Sequence, residues 1–343
     1  MQRYRLRTDL NRVVIRGFAL PLGIAPAVGR LQAPMQGYTV AYVQGQEDEP
    51  DTYTFHVVVS HERLTPILHR AFGLLPPQVY AIIEIGSRDA YRSTDTYISE
   101  QPIALEDFLR TWRDFEPFLM EDGSIAAGAN SEEPFVEVFV DQWKGLAIHV
   151  PPSMREDVEN LLREEGLDEV VQTWPDMDEE EDLSESETSQ IRPVLDLSED
   201  SSPDVDELLL DLRHEWQLEL NIDPESNIDE GGRDLGSTLW HAVVIVDGGP
   251  KDKSGAAGNG SNGSGGYASI WATAGSLNQM EELIHAALDS RPNWQFGEIF
   301  TIDRVAFDER PDELADLRPS RRDPQVHLVT IEPWAEAPKK EKS

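Results

Sequence analysis

No cysteine occurs anywhere in this chain. Disulfides, thiolate metal sites, iron–sulfur clusters and cysteine nucleophiles are thereby excluded. Lysine is nearly absent as well, six residues against 23 arginines, and basic residues as a whole are few: 29 against 65 acids, for a formal net charge of -36. Phosphate backbones and anionic membrane surfaces are bound by displacing counterions with Lys and Arg. We therefore expect neither a nucleic-acid nor a membrane partner. No apolar run approaches the roughly 18 residues that a spanning helix requires. A signal peptide is not expected either, because Pro21 and Pro26 break the one apolar stretch near the start.

Signature motifs for chemistry are missing too. There is no G-K-[ST] phosphate loop and no G-x-S-x-G nucleophile elbow. The glycine-rich run Gly258-Asn259-Gly260-Ser261-Asn262-Gly263 matches G-x-G-x-x-G, but it leads into the strand-like sequence YASIWAT. A dinucleotide site needs that loop to open a helix whose N-terminus meets the pyrophosphate. The run reads as a hairpin tip, and no cofactor is expected.

What is present is a localised block of acid. From Asp176 to Asp211 there are 15 carboxylates and one base, Arg192. Such a segment has too little apolar surface to offset the entropy of ordering, so it reads as a disordered linker. At the other extreme, residues 1–34 hold six arginines and a single acid, Asp9. That arm reads as flexible, as an over-extended start, or as a strap that docks on the acidic segment of its own chain.

Between these features the hydrophobic pattern alternates between periods of two and of 3.6. Thr52 to Val59 is β-branched and aromatic, as a half-buried strand requires. Ser60 then precedes a helical stripe of Leu64, Ile67, Leu68, Ala71 and Phe72, and Val79 to Ile85 reads as a buried strand. A second stripe, Leu105 to Phe115, is expected to stop at Pro117. Phe135–Val140 and Leu146–Val150 form a strand pair, Ser153 with Glu156 a capping box, and Val170–Trp174 a closing strand. Residues 204–214 fit helix and strand equally, and Trp216 to Ile222 alternates as a strand. Further strands are expected at 239–246, 267–273, 295–305 and 326–331, with a capped helix after Ser276.

The fold expected is α+β: two sheet-and-helix domains, each containing a β-α-β unit, joined by the acidic linker. The divisions are a flexible basic arm over 1–35, a domain over 36–175, a disordered linker over 176–207, a domain over 208–334 with a flexible glycine-rich loop at 248–266, and a flexible tail over 335–343. An echo at an offset of 216 residues (Ser60 with Ser276, His69 with His285, Pro76 with Pro292) suggests a degenerate repeat.

Candidate sites are few. Asp223, Glu225, Asn227, Asp229 and Asp234 place oxygen side chains at alternating loop positions, as a calcium loop does. Ile228 stands where such a loop needs glycine, so a solvated connection is the competing reading. His56, His61 and His69 with Glu62 form a conceivable His₂–carboxylate metal set. No catalytic residue is assigned. The reading that fits best is a soluble, cytoplasmic, non-enzymatic protein-interaction or scaffold protein whose partner is a protein, a basic one by charge complementarity. Two alternatives stand beside it: a hydrolase with its site in an interdomain cleft, and an acidic decoy of a nucleic-acid-binding protein. An open sheet edge or exposed apolar patch favours binding. A pocket of perturbed titratable groups favours catalysis.

Overall fold

The computed structural model describes residues 3–26, 33–45, 50–174, 189–199, 202–249, 265–318 and 323–334. It combines helices with antiparallel sheets and divides into two compact units, Met1–Gly86 with Asp95–Asn221, and Ser87–Thr94 with Ile222–Ser343.

The first unit contains β1 (Val14–Ile15), β2 (Phe18–Ala19), β3 (Ile24–Pro26), β4 (Gly37–Val43), β5 (Thr52–Val58), α1 (His61–Phe72), β6 (Gln78–Gly86), β7 (Thr94–Ser99), β8 (Ile103–Ala104) and α2 (Leu105–Glu121). It continues through β9 (Ile125–Glu132), β10 (Phe135–Val140), β11 (Leu146–Val150), α3 (Arg155–Glu164), β12 (Ser189–Ile191), α4 (Val205–Trp216) and β13 (Leu218–Leu220). Its large sheet runs β13-β7-β6-β9-β10-β11-β5-β4, with β8 added on β6. Side chains in a strand alternate between faces. Thus Val136, Val138 and Val140 of β10, and Leu146, Ile148 and Val150 of β11, are buried in one core with the apolar stripes of all four helices. The residues between them lie on the opposite, helix-free face.

Several expectations need correcting. Pro117 lies inside α2, which continues to Glu121. A proline there costs a backbone hydrogen bond, but Phe118, Leu119 and Met120 gain burial in the core beyond it. Ser153 makes no cap; it sits in a 3₁₀ turn, Pro152–Met154, that leads into α3. Residues 170–174 form no strand. Only a parallel bridge between Glu169 and Tyr38 joins that segment to β4. Residues 205–216 resolve as helix, because Asp204 and Glu207 make a reciprocal capping box and Leu208, Leu209, Leu212 and Trp216 fall on one buried stripe.

The arm follows the strap reading rather than the flexible one, and the linker is ordered over 189–199. Residues 3–26 are packed rather than flexible. Tyr4 is buried against Phe115 and Phe118, and its hydroxyl donates to the Asp114 carbonyl. Of the expected disordered linker, 189–199 pairs with this arm: β12 is antiparallel to β3, Leu6 bridges Leu195, and the Arg7 N–H donates to the Val194 carbonyl at 2.8 Å. Val194 and Leu195 are buried. Apolar residues spaced among the acids supply burial that the average composition of the segment conceals. Residues 175–188 and 200–201 lie outside the described residues, as do 250–264 of the glycine-rich loop with its G-x-G-x-x-G run, and the tail 335–343.

Glu121 anchors the arm. It accepts hydrogen bonds from Arg12, from His61 Nε2 at 3.1 Å and from the Leu22 N–H at 2.7 Å. Burial opposes its charge, but the hydrogen bonds from His61 and Arg12 and the His61 charge outweigh that and hold its carboxyl at about 2.

The second unit is smaller. β14 (Thr238–Gly248), β15 (Gly265–Ala274), β16 (Trp294–Val305) and β17 (Gln325–Pro333) form one antiparallel sheet in the order β16-β14-β15-β17. The helix α5 (Leu277–Asp289), capped by Ser276, packs Met280, Ile284 and Leu288 on one face. The unit begins at Ile222 and takes in Ser87–Thr94, not at residue 208 as expected, because α4 and β13 join the first unit's core and sheet. The strands flanking α1 have three others between them and those flanking α5 have one, so the sheet orders do not repeat.

A buried ion pair ties the second unit's loops to its sheet. Arg304 on β16 donates through Nε to Asp89 at 2.8 Å, and through Nη1 to Asn227 Oδ1 at 3.0 Å and the Ile228 carbonyl at 2.7 Å. Its guanidinium lies over the rings of Tyr91 and Trp240. Asp89 in turn accepts from the N–H groups of Arg304 and Tyr91.

Two outcomes follow from these contacts. Arg304→Met leaves buried Asp89 with only Arg92, at 3.4 Å, and should lower stability by about 3 kcal/mol; the double variant Arg304→Met/Asp89→Leu should recover part of that loss. Urea unfolding, with hydrogen exchange read at the β14 amides, measures both. The depressed Glu121 carboxyl contributes stability that is full above its unfolded value and disappears as pH falls from about 4.5 towards about 2. That contribution is about 3 kcal/mol at neutral pH. The urea midpoint should therefore fall less between pH 6 and pH 2.5 in Glu121→Gln than in the unaltered chain.

Candidate functional site

The five oxygen-bearing loop residues do not converge on a cation. Asp223 accepts from the Glu225 N–H, Glu225 accepts from Asn278 Nδ2, and Asp234 accepts from the Gly236 N–H. Asp229 holds both the backbone and the guanidinium of Arg233. Asn227 is spent in the Arg304 network, with its amide donating to the Gly236 carbonyl and Thr238 Oγ1. Glu225, Asn227 and Asp234 line an open depression of about 530 Å³, yet Asp234 bonds its own loop, Glu225 bonds Asn278 of α5 and Asn227 bonds Arg304 of β16. Among the described residues no three His, Asp or Glu side chains are placed to hold a metal ion.

The histidines disperse in the same way. His61 and His69 lie on α1, where His61 meets Glu121 and His69 meets Glu116. Glu62 accepts from the Ser60 hydroxyl at 2.6 Å instead of joining them. His56, on β5, projects from the helix-free face. His61 and His69, eight residues apart, lie two turns from each other on α1, and each finds its own carboxylate.

That helix-free face does gather titratable groups, by cross-strand register. Thr54, His149, Glu137, Asn130 and Tyr80 fall in one row across β5, β11, β10, β9 and β6. His149 Nδ1 lies 3.0 Å from Thr54 Oγ1, and Nε2 lies 3.6 Å from Glu137 Oε1. In the next row Phe139 lies over Gly128, where a Cβ would come within 2.2 Å of the Val138 carbonyl oxygen. Burial pushes the Glu137 carboxyl up, against the Asn130 hydrogen bond and with the Glu84 charge. Burial, with the His56 charge, pushes His149 down. Both shifts favour neutral forms. The row has the order hydroxyl, imidazole, carboxylate, but Thr54 is only 6% exposed, so no substrate carbonyl reaches it. At one end of this face His56, Asp141, Thr39 and residues 171–174 line an open pocket of about 400 Å³.

The second unit has its own hydroxyl–imidazole pair. His241 Nε2 lies 2.8 Å from Ser269 Oγ and its ring stacks on Trp271 at 4.2 Å. Burial pushes this imidazole down. Asp303 stands opposite His241 in the β14–β16 register. Ser269 sits mid-strand, where regular pairing leaves no set of converging N–H groups for an oxyanion.

The edge β4 was not singled out in the sequence. It ends the large sheet, and its first half is covered: the Tyr38 N–H donates to the Asp168 carbonyl and the Val170 N–H to the Tyr38 carbonyl. Backbone groups alternate in direction along a strand, so Val40 and Tyr42 turn theirs outward as Tyr38 does. The chain leaves the edge at Val171, which is fully exposed. Among the described residues nothing pairs with β4 beyond Tyr38 on that side. Tyr42 is 52% exposed and Val43 49%. The signal available in the sequence was the run Ala41-Tyr42-Val43, which has none of the Lys or Pro that natural edges use to repel a further strand.

No family model, no curated protein sequence and no solved structure matches this chain. Among the described residues no helix is long and apolar enough to cross a membrane.

The His149 shift gives a test of the row's electrostatics. His149 should titrate below an ordinary histidine, and His56→Gln should move it part of the way back up, read by NMR of the ring carbons.

Proposed function

We propose that this chain is a non-enzymatic interaction protein of the cytoplasm that binds another protein along the open half of β4. The observation that carries this reading is the edge from Val40 to Val43, unpaired among the described residues, with two large apolar side chains exposed on it. Adding a strand to such an edge gives affinity through main-chain hydrogen bonds and selectivity through alternate side chains. The other terminal strand of the sheet, β13, is only three residues long and carries Glu219 at its centre, which suits an edge that stays unpaired. In the second unit β16 pairs with β14 through two register shifts, a device that twists an edge away from further pairing.

A second reading, hydrolysis, draws on the Ser269–His241 pair, since a neutral imidazole within hydrogen-bond reach of a hydroxyl is the start of an activated nucleophile. A fluorophosphonate probe separates the two. Labelling of Ser269 that His241→Gln abolishes would favour hydrolysis; an unlabelled serine favours binding.

Val40→Pro removes an outward N–H and leaves the ladder to β5 intact, as proline on an edge can. Capture from native lysate with the unaltered chain and with this variant, compared by quantitative mass spectrometry, should show specific partners lost from the variant. Identical partner lists would sink the β4 reading.

A further inference from the structure

We infer that the segment β4 accepts is extended and basic, and that it lies parallel to β4 in the register begun by the chain's own residues 168–170. This inference rests on the reading of β4 as a binding edge and says what kind of partner fits it.

The direction comes from the covered half of the strand. The bridge between Tyr38 and Glu169 is parallel, and both backbone groups of Tyr38 are engaged by residues of that segment. A parallel strand that follows on from Val170 meets the outward groups of Val40 and then of Tyr42. The protein's own chain vacates this path at Val171, bending back so that the Met35 N–H donates to the Thr173 carbonyl. The edge is thus templated for one orientation and, among the described residues, left open after its first bridge.

The charge requirement comes from what surrounds the edge. Asp168 and Glu169 lie beside Tyr38, where their charges and that of Glu159 act on its hydroxyl. At the far end Asp51 accepts from the Tyr42 hydroxyl and the Gly45 N–H. Basic groups near this side among the described residues include Arg163, which bonds Asn160, Arg155, which is held by Glu159 and Tyr53, and Arg63, which is held by Gln36 and the Glu165 carbonyl. An incoming strand therefore meets acid at both ends of a short apolar stretch. Alternate residues of the partner meet Tyr42 on the helix side and Ala41 with Val43 on the other. A β-branched core flanked by Arg or Lys meets all three conditions.

The test uses the full chain and a fluorescein-labelled, end-blocked peptide, Arg-Arg-Val-Thr-Val-Arg-Arg, titrated by anisotropy at about 0.15 M salt to screen loose attraction. Two controls accompany it: the same peptide N-methylated at alternate residues, which keeps charge but cannot pair, and a twin with Glu in place of Arg. The basic peptide should bind about tenfold or more tightly than its N-methylated twin, and the acidic twin should not bind. Val40→Pro should erase that difference. Val43→Lys, at an exposed position that leaves the ladder unchanged, should weaken binding by about tenfold through repulsion, and it keeps the test open if the proline variant fails to fold.

Equal binding of the N-methylated twin overturns the inference, since the net charge of -36 would then be attracting any cation. Unchanged affinity in both variants does the same. Self-association in sedimentation that Val40→Pro dissolves would assign the edge to a second copy instead. If no peptide binds but Val40→Pro still loses its lysate partner, the edge reading stands and the basic-segment assignment falls. If both fail, the edge reading falls with it.

Discussion

A strand sends alternate side chains to opposite faces, so a sheet roofed by helices on one side must send every second residue to the other. This constraint organises both units. In the first, the valines of β10 and the aliphatics of β11 go inward to four helices, and Glu137, His149, Phe139 and Ala147 go outward by the same arithmetic. In the second, Trp240, Ala242, Val244 and Val246 face α5 while His241 and Val243 face away. The titratable groups on the helix-free faces are gathered by register. Their shifts towards neutral forms are what half-burial does to any acid or imidazole, which is why a row that resembles a relay is weak evidence for chemistry.

The same economy of cover leaves the edges. An open sheet has two, and the large sheet treats them differently. β13 is short and charged, while β4 is covered for half its length by residues that follow α3 and, among the described residues, is bare for the rest. The proposed function sits on that half-finished pairing rather than on any cluster of reactive groups.

Charge is spent locally. Most carboxylates that looked like candidate ligands are satisfied by their own loops, as at Asp229 and Asp234. The costly ionic contacts do structural work: Arg304 with Asp89 joins three segments of the second unit, and Glu121 collects Arg12, His61 and the Leu22 N–H to seat the arm. Removing the buried carboxylate of either set would leave its cations facing each other without a counter-charge, which costs more than the pair contributes.

How much of this was legible in the sequence depends on the range of the interaction. Periodicity alone located the α1 stripe from Leu64 to Phe72, the alternation of β10 and β11 and the Ser276 cap, because each is decided within a few residues. The mixed α+β class followed from them. Composition misled where burial was non-local: an acidic average concealed Val194 and Leu195, and a basic average concealed Tyr4, whose partners are more than a hundred residues away. Pro117 was read as a stop since local cost was visible and the core gained by Phe118 to Met120 was not. The edge at Val40–Val43 was written in the sequence as unguarded β-branched and aromatic residues. Whether that strand lay inside the sheet or at its end was decided only when β5 took β11 as its other neighbour, for strand order is fixed by the packing of the whole core and not by any strand's own residues.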